Sequence, residues 1–216
     1  MNIGVLKQIV ERGYDQVAEN YASWAAAIYS PERSRVTNLL IDSVAQDESV
    51  LELGCGNGEP VTRELSTTLD VTAVDISREQ LNRAEKAAPS ATFIQSDMMA
   101  LDFPERSFAA IIALYSIVHV PCEEHPAIIR RAFNWLEPGG LFVVNSAVSE
   151  AYRGYAEDWL GAPMFWSHYG PETTRRLLLD AGFEILNQRV EIINEGDAAT
   201  GWVWWIARKP EEAHGR

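Results

Sequence analysis

Only two cysteines, Cys55 and Cys122, occur in 216 residues. That is too few for a disulfide framework, and no further ligands accompany them for a metal site, so no metal is expected. No run of lysine and arginine offsets a net charge of -13. A phosphate backbone needs a positive face, so nucleic acid is not expected as the main partner. No apolar stretch reaches the ~18 residues of a membrane span. Near the N-terminus Glu11, Arg12 and Asp15 interrupt the apolar run that a signal peptide would need, so the cytoplasm is the expected compartment. Repeats, low-complexity segments and domain linkers are also missing. What is present suits one α/β domain, with 47% apolar and 23% charged residues.

Short apolar segments alternate with amphipathic ones. Tyr14 to Tyr29 reads as a helix, with Val17, Tyr21, Trp24 and Ile28 at helical spacing. Ser30 and Pro31 then start a second helix that presents Val36, Leu39, Leu40 and Val44. Strands are expected at Val50–Leu53, Val71–Val74, Thr92–Ile94, Phe108–Leu114 and Leu141–Asn145. Helices fall between them, the last over Glu123–Leu136 and ended by a turn at Glu137–Gly140. This alternation implies a parallel sheet with helices on both faces. The C-terminal third differs. A helix from Pro171 closes at Gly182, and Phe183–Ile193 and Gly201–Arg208 form an antiparallel hairpin about the turn Asn194–Asp197. The polar tail from Pro210 is expected to fray.

The most informative stretch is Val50-Leu51-Glu52-Leu53-Gly54-Cys55-Gly56-Asn57-Gly58-Glu59-Pro60. A strand runs into a turn with glycine at alternate positions, where the backbone can approach a ligand that any Cβ would obstruct. Glu59 occupies the place where a dinucleotide-binding turn wants a third small residue. Asp75 ends the next strand, 17 residues after Gly58, and a carboxylate there can accept both hydroxyls of a ribose. It can equally cap the following helix. Asp97 and Met98 end the third strand, where Asp97 can take an adenine amine or cap a short helix. All these positions lie at the carboxyl edge of a doubly wound sheet, where ligands bind.

These motifs resemble class I methyltransferases that use S-adenosylmethionine (SAM), in particular the small-molecule group related to quinone biosynthesis. The matching segments are Leu51–Gly58, Val74–Ser77, Ser96–Met98, Ser116–Val120 and Leu136–Gly140, in the family's order. The resemblance implies a Rossmann-like, doubly wound, seven-stranded and mostly parallel sheet with the C-terminal hairpin. It implies one domain over residues 1–216, with a helical cap over about 1–47 and an acceptor lid over about 150–170. Glu52 would hold the methionine end of SAM, and Gly54, Gly56, Asn57 and Gly58 would admit its backbone. Asp75 would take the ribose, Ile76 would pack on adenine, and Gln80 would be a further cofactor contact. Ser96, Asp97 and Met98 would read the adenine edge, the Ala113 carbonyl the amino group, and Tyr14 the carboxylate. The implied reaction is in-line methyl transfer to oxygen, nitrogen or carbon of a small molecule. A nicotinamide oxidoreductase and a non-catalytic SAM-binding protein are the alternatives.

Two histidines are candidate bases. His119 follows the fourth strand, and His168 lies in the segment after the fifth. Each could instead bond a backbone carbonyl. His125, in the first turn of a helix, is expected at the surface. Tyr152, Tyr155, Trp159, Met164, Phe165, Trp166 and Tyr169 crowd the lid segment. They suit an apolar or aromatic acceptor, or simple packing of the lid. Tyr21, Trp24, Tyr115, Trp159, Met164, Trp166 and Tyr169 are the expected acceptor contacts.

Overall fold

Val50 and Leu51 are adjacent and fully buried, yet they pack into different clusters on opposite faces of one sheet. The same alternation separates Ile111 from Ile112 and Trp204 from Trp205. Side chains alternate along a strand, so a sheet covered on both faces needs apolar residues at every position. The computed structural model describes residues 1–195 and 198–211. Its main sheet contains β1 (Ser49–Leu53), β2 (Asp70–Asp75), β3 (Thr92–Gln95), β4 (Phe108–Ala113), β5 (Leu136–Ala147), β8 (Glu184–Glu195) and β9 (Ala198–Arg208). The strand order is β3-β2-β1-β4-β5-β9-β8. The first five strands are parallel, while β9 runs antiparallel to β5 and to β8. This is the mostly parallel seven-stranded sheet with a C-terminal hairpin that the family resemblance implied.

One face is covered by α2 (Pro31–Ser43), α3 (Val61–Leu65) and α4 (Arg78–Ala87), through Val36, Leu40, Val61, Leu65 and Leu81. The other is covered by α5 (His125–Trp135) and α6 (Pro171–Ala181), through Ile128, Ile129, Trp135 and Leu178. The chain order reverses between β1 and β4, which opens the crevice expected of doubly wound sheets.

Three local readings change. The first helix, α1, spans Ile3–Ala27 rather than starting at Tyr14; Asn2 caps it, and Leu6 and Val10 extend its buried stripe with Val17. The Glu137–Gly140 turn is instead part of β5, because Gly139 and Gly140 exchange backbone hydrogen bonds with Lys209 just beyond β9. The lid segment is a separate hairpin of β6 (Tyr152–Trp159) and β7 (Ala162–His168). It packs on α1, where Met164 and Phe165 meet Leu6 and Val10. The turn residues Gly196 and Asp197, and the tail from residue 212 with His214, lie outside the described residues. No helix among the described residues is long and apolar enough to cross a membrane.

Candidate functional site

The Gly54–Gly58 turn wraps the end of β2. The Gly54 and Cys55 amides donate to the Val74 carbonyl, and the Gly56 amide donates to Asp75 Oδ2 at 2.8 Å. Ser77 N donates to the other carboxylate oxygen at 2.9 Å. All three glycines have positive φ, which favours glycine. Their missing side chains make room mainly for the protein itself. A Cβ on Gly54 would lie 2.2 Å from Ser116 Cβ, and one on Gly58 would lie 3.0 Å from Ala84 Cα in α4. Only Gly56 has looser surroundings, with Tyr21 Cε1 as its nearest neighbour at 3.6 Å.

Gly54, Gly56, Val74, Asp75, Ile76, Ser96, Asp97 and Met98 line one cleft. It encloses about 700 Å³ counting its mouth. Burial raises the Asp75 carboxyl to about 6 against the pull of its backbone donors. A partly desolvated carboxylate with lone pairs to spare is the group that would gain most from a diol. Asp97 both caps Met99 and ion-pairs with Lys7 at 2.7 Å, and Lys7 also reaches Glu124. Burial works against the charge on Lys7, but its bonds to Asp97 and Glu124 prevail and hold it above its ordinary value.

Five expected cofactor contacts stand back from this cleft, among them Gly58, which packs against Ala84. Glu52 is buried, accepts from Thr62 Oγ1 at 2.6 Å, and is pushed up to about 7 by desolvation. Gln80 is fully buried with neither amide atom partnered. Ala113 is fully buried, and the next residues, Leu114, Tyr115 and Ser116, line the cleft instead. Asn57 accepts from the Glu59 amide within the turn.

Tyr14, Tyr21, Tyr115 and His119 form the inner wall of the cleft and also bound a second cavity. That cavity encloses about 690 Å³ counting its mouth, and Trp24, Trp159, Trp166 and Trp202 line it. Ring centroids of Trp159 lie 5.6 Å from Tyr14 and from Trp24, and 5.7 Å from Trp166. His119 sits on the shared wall. Its Nδ1 lies 2.9 Å from the Phe165 carbonyl, which can only accept, so Nδ1 carries the proton. Nε2 therefore accepts from the Tyr14 hydroxyl at 2.8 Å. Burial lowers His119 to about 4 despite the Phe165 carbonyl, so the ring is neutral at physiological pH.

The other expected acceptor residues separate. Met164 is fully buried against α1, and Tyr169 packs edge-on to His125 at 5.7 Å. His168 stacks on Tyr152 and borders a small cavity beneath α5 and α6, away from Asp75 and His119. His125 is not at the surface. It is buried, with Nε2 2.9 Å from the Val120 carbonyl, because the short turn before α5 folds the ring inward.

Lys7 and Trp202 escaped the sequence reading, and Asp15 and Ser116 entered it only as members of matched segments. Lys7, Val10, Tyr14 and Tyr21 recur at helical spacing along α1 and all face the cleft, a stripe lost when the helix is started at Tyr14. Asp15 ties α1 to the start of α4 by accepting from Ser77 Oγ at 2.6 Å and from Glu79 N at 3.1 Å.

Residues 50–140 match the family model described as a methyltransferase domain. Over that segment the chain is similar to methyltransferase domains. The chain is 40% identical over 101 residues to 27-O-demethylrifamycin SV methyltransferase of Amycolatopsis mediterranei, covering 43% of this chain and 36% of that protein. It is 30% identical over 175 residues to sterol 24-C-methyltransferase ERG6B of Gibberella zeae, covering 72% and 44%. The chain thus spans less than half the length of these curated relatives. Its fold is similar to Burkholderia thailandensis 1,6-didemethyltoxoflavin-N1-methyltransferase, with a TM-score of 0.74 at 16% identity over 98% of this chain and 92% of that one. The matched methyltransferase segment begins at β1 and ends in β5, so it contains the Gly turn, Asp75, Asp97 and His119 and leaves out α1 and the β6–β7 hairpin.

Proposed function

We propose that the protein transfers the methyl group of SAM to a small-molecule acceptor. One observation carries this reading: the cleft around Asp75 and the aromatic cavity share a single wall of Tyr14, Tyr21, Tyr115 and His119. Group transfer needs two compartments that meet at the reacting atoms and exclude water there. The curated relatives, whose names specify O- and C-methylation, agree with this class but do not fix the atom modified here.

When bound, SAM supplies a methyl group activated by its sulfonium charge. In this reading Asp75 accepts the ribose hydroxyls, Ile76 and Met98 flank the adenine, and Ser96 and Asp97 meet its edge. Gly54, Gly56 and the backbone from Leu114 to Ser116 take the methionine end. Glu52 and Gln80 act from behind, Glu52 through its bond to Thr62. Tyr14 and His119 act as a pair. An acceptor hydroxyl or amine can pass its proton to the Tyr14 oxygen as the Tyr14 proton moves to His119 Nε2. The imidazole then carries the charge released by transfer. His168 has no part in this scheme.

The chain is read as one domain, with a helical cap over about residues 1–47 and the β6–β7 hairpin as lid. A net charge of -13 favours a small-molecule partner over nucleic acid and suits a cytoplasmic enzyme. The test combines calorimetry with S-adenosylhomocysteine (SAH) and detection of SAH formed from SAM over a panel of phenolic, amine and enol acceptors. Micromolar SAH binding with acceptor-dependent turnover is expected. Binding without turnover on any acceptor would favour a non-catalytic SAM protein, and NADH binding in place of SAH an oxidoreductase.

A further inference from the structure

Among the described residues, Arg33 is the one cation that lines the aromatic cavity, and it forms no ion pair. Arg33, at the start of α2, lines the cavity beside Ile28 and Trp24. Its Nη2 donates to the Ile28 carbonyl at 3.0 Å, while its Nε is buried and unbonded. Neighbouring carboxylates are engaged elsewhere. Glu32 pairs with Arg35 at 2.6 Å and Arg189 at 3.2 Å. Glu191 accepts from Ser30 Oγ, Glu32 N and Trp204 Nε1. Among the described residues no carboxylate pairs with Arg33, and none lines the cavity.

We propose that the aromatic cavity binds an aromatic carboxylic acid as acceptor, with its carboxylate on Arg33 and its ring among Trp24, Trp159 and Trp166. This rests on the methyltransferase reading only for the word acceptor; the site itself is argued from the cavity. A guanidinium at an aromatic cavity wall with no anion beside it is poorly compensated, and a carboxylate pairs with it through a charge-assisted bond. The guanidinium fork takes two oxygens side by side, in the plane of a conjugated acid. One arginine balances one negative charge, whereas a phosphate monoester would bring close to two. The flat walls of Trp and Tyr favour an aromatic ring over a chain.

The test is calorimetry of 2-naphthoate and its neutral counterpart 2-naphthamide on the full-length protein, with and without SAH. The wild type should bind the acid about tenfold more tightly than the amide. Arg33→Gln should erase that preference while SAH affinity stays unchanged, which also verifies the fold. Arg33→Lys keeps the charge but not the fork, so the preference should fall severalfold. If Arg33→Gln does not fold, the lysine variant decides. Equal binding of acid and amide, absence of acid binding, or a preference untouched by either substitution overturns the proposal. If SAH fails to bind while the acid preference persists in the free protein, the methyl-donor reading fails and the acid site stands.

Discussion

Asp75 and Trp159 line adjoining compartments, but the chain delivers them by different means. Asp75 sits at the end of β2, beside the Gly turn at the end of β1, and two backbone amides hold its carboxylate. Strand ends one ladder apart are fixed by the sheet, so the Asp75 cleft is a consequence of the fold. Trp159 lies in a hairpin that reaches the cavity only because Met164 and Phe165 pack on Leu6 and Val10 of α1. Residues brought together there come from α1, α2, the segment after β4, the hairpin, β8 and β9. A site made of strand ends keeps its chemistry as long as the sheet forms. A site made of docked segments can change its occupant by repacking.

The largest expected effect sharpens this contrast at the cofactor end. Asp75→Asn keeps the shape but removes the charge. Hydrogen bonds to charged groups contribute about 1.5–3 kcal/mol, so SAH affinity should fall about 10- to 100-fold. Calorimetry checks this, and a change below threefold would sever Asp75 from the donor. At the other end, Trp159→Ala should raise the KM for an aromatic acceptor about tenfold while SAH affinity stays within twofold. A variant that loses both equally would mean the compartments are one site, and the comparison would collapse.

The pH dependence separates the same two ends. The Asp75 carboxyl, raised to about 6 by burial, is protonated at pH 5. A diol prefers the ionised form, so SAH affinity should be full above pH 6 and about tenfold weaker at pH 5. The free protein runs the other way at this residue. A raised carboxyl stabilises below its unfolded value and loses that contribution as pH rises through about 6, and Glu52 does the same through about 7. SAH should therefore raise Tm more at pH 8 than at pH 5. His119 has the opposite sign. Lowered to about 4, it contributes stability above its unfolded value that is lost only as pH falls toward 4. A flat SAH affinity from pH 5 to 8 would remove Asp75 from the ribose.

What could be read from the chain follows the same division. Gly54, Asp75 and Asp97 are legible because strand ends recur at fixed intervals and parallel pairing puts them at one edge. Their reasons are less legible. The glycines accommodate Ser116 and Ala84 rather than a ligand alone, and Asp97 holds Lys7, 90 residues away in sequence. The acceptor residues were chosen by type, and type misled. Of the seven bulky residues in the expected lid, Trp159 and Trp166 line the cavity, while Met164 and Phe165 turn to α1. Strand alternation would have sorted Phe165 from Trp166, but only once the segment was known to be a strand. Arg33 and the Phe165 carbonyl carry no sequence signal, because their roles come from what docks beside them.

The smallest expected effect bears on Tyr14, which touches both compartments. Family resemblance gives it the SAM carboxylate, whereas the structure shows its hydroxyl on His119 Nε2. Tyr14→Phe distinguishes the two. If the hydroxyl relays the acceptor's proton, kcat should fall about fivefold, the equivalent of one hydrogen bond of about 1 kcal/mol, with SAH affinity unchanged. The loss should be greatest for acceptors that must shed a proton and absent for a thiolate already ionised. If the hydroxyl holds SAM, SAH affinity should weaken by the same factor for every acceptor and kcat should persist. The two outcomes assign Tyr14 to one side of the shared wall, and with it His119, whose only free lone pair that hydroxyl occupies.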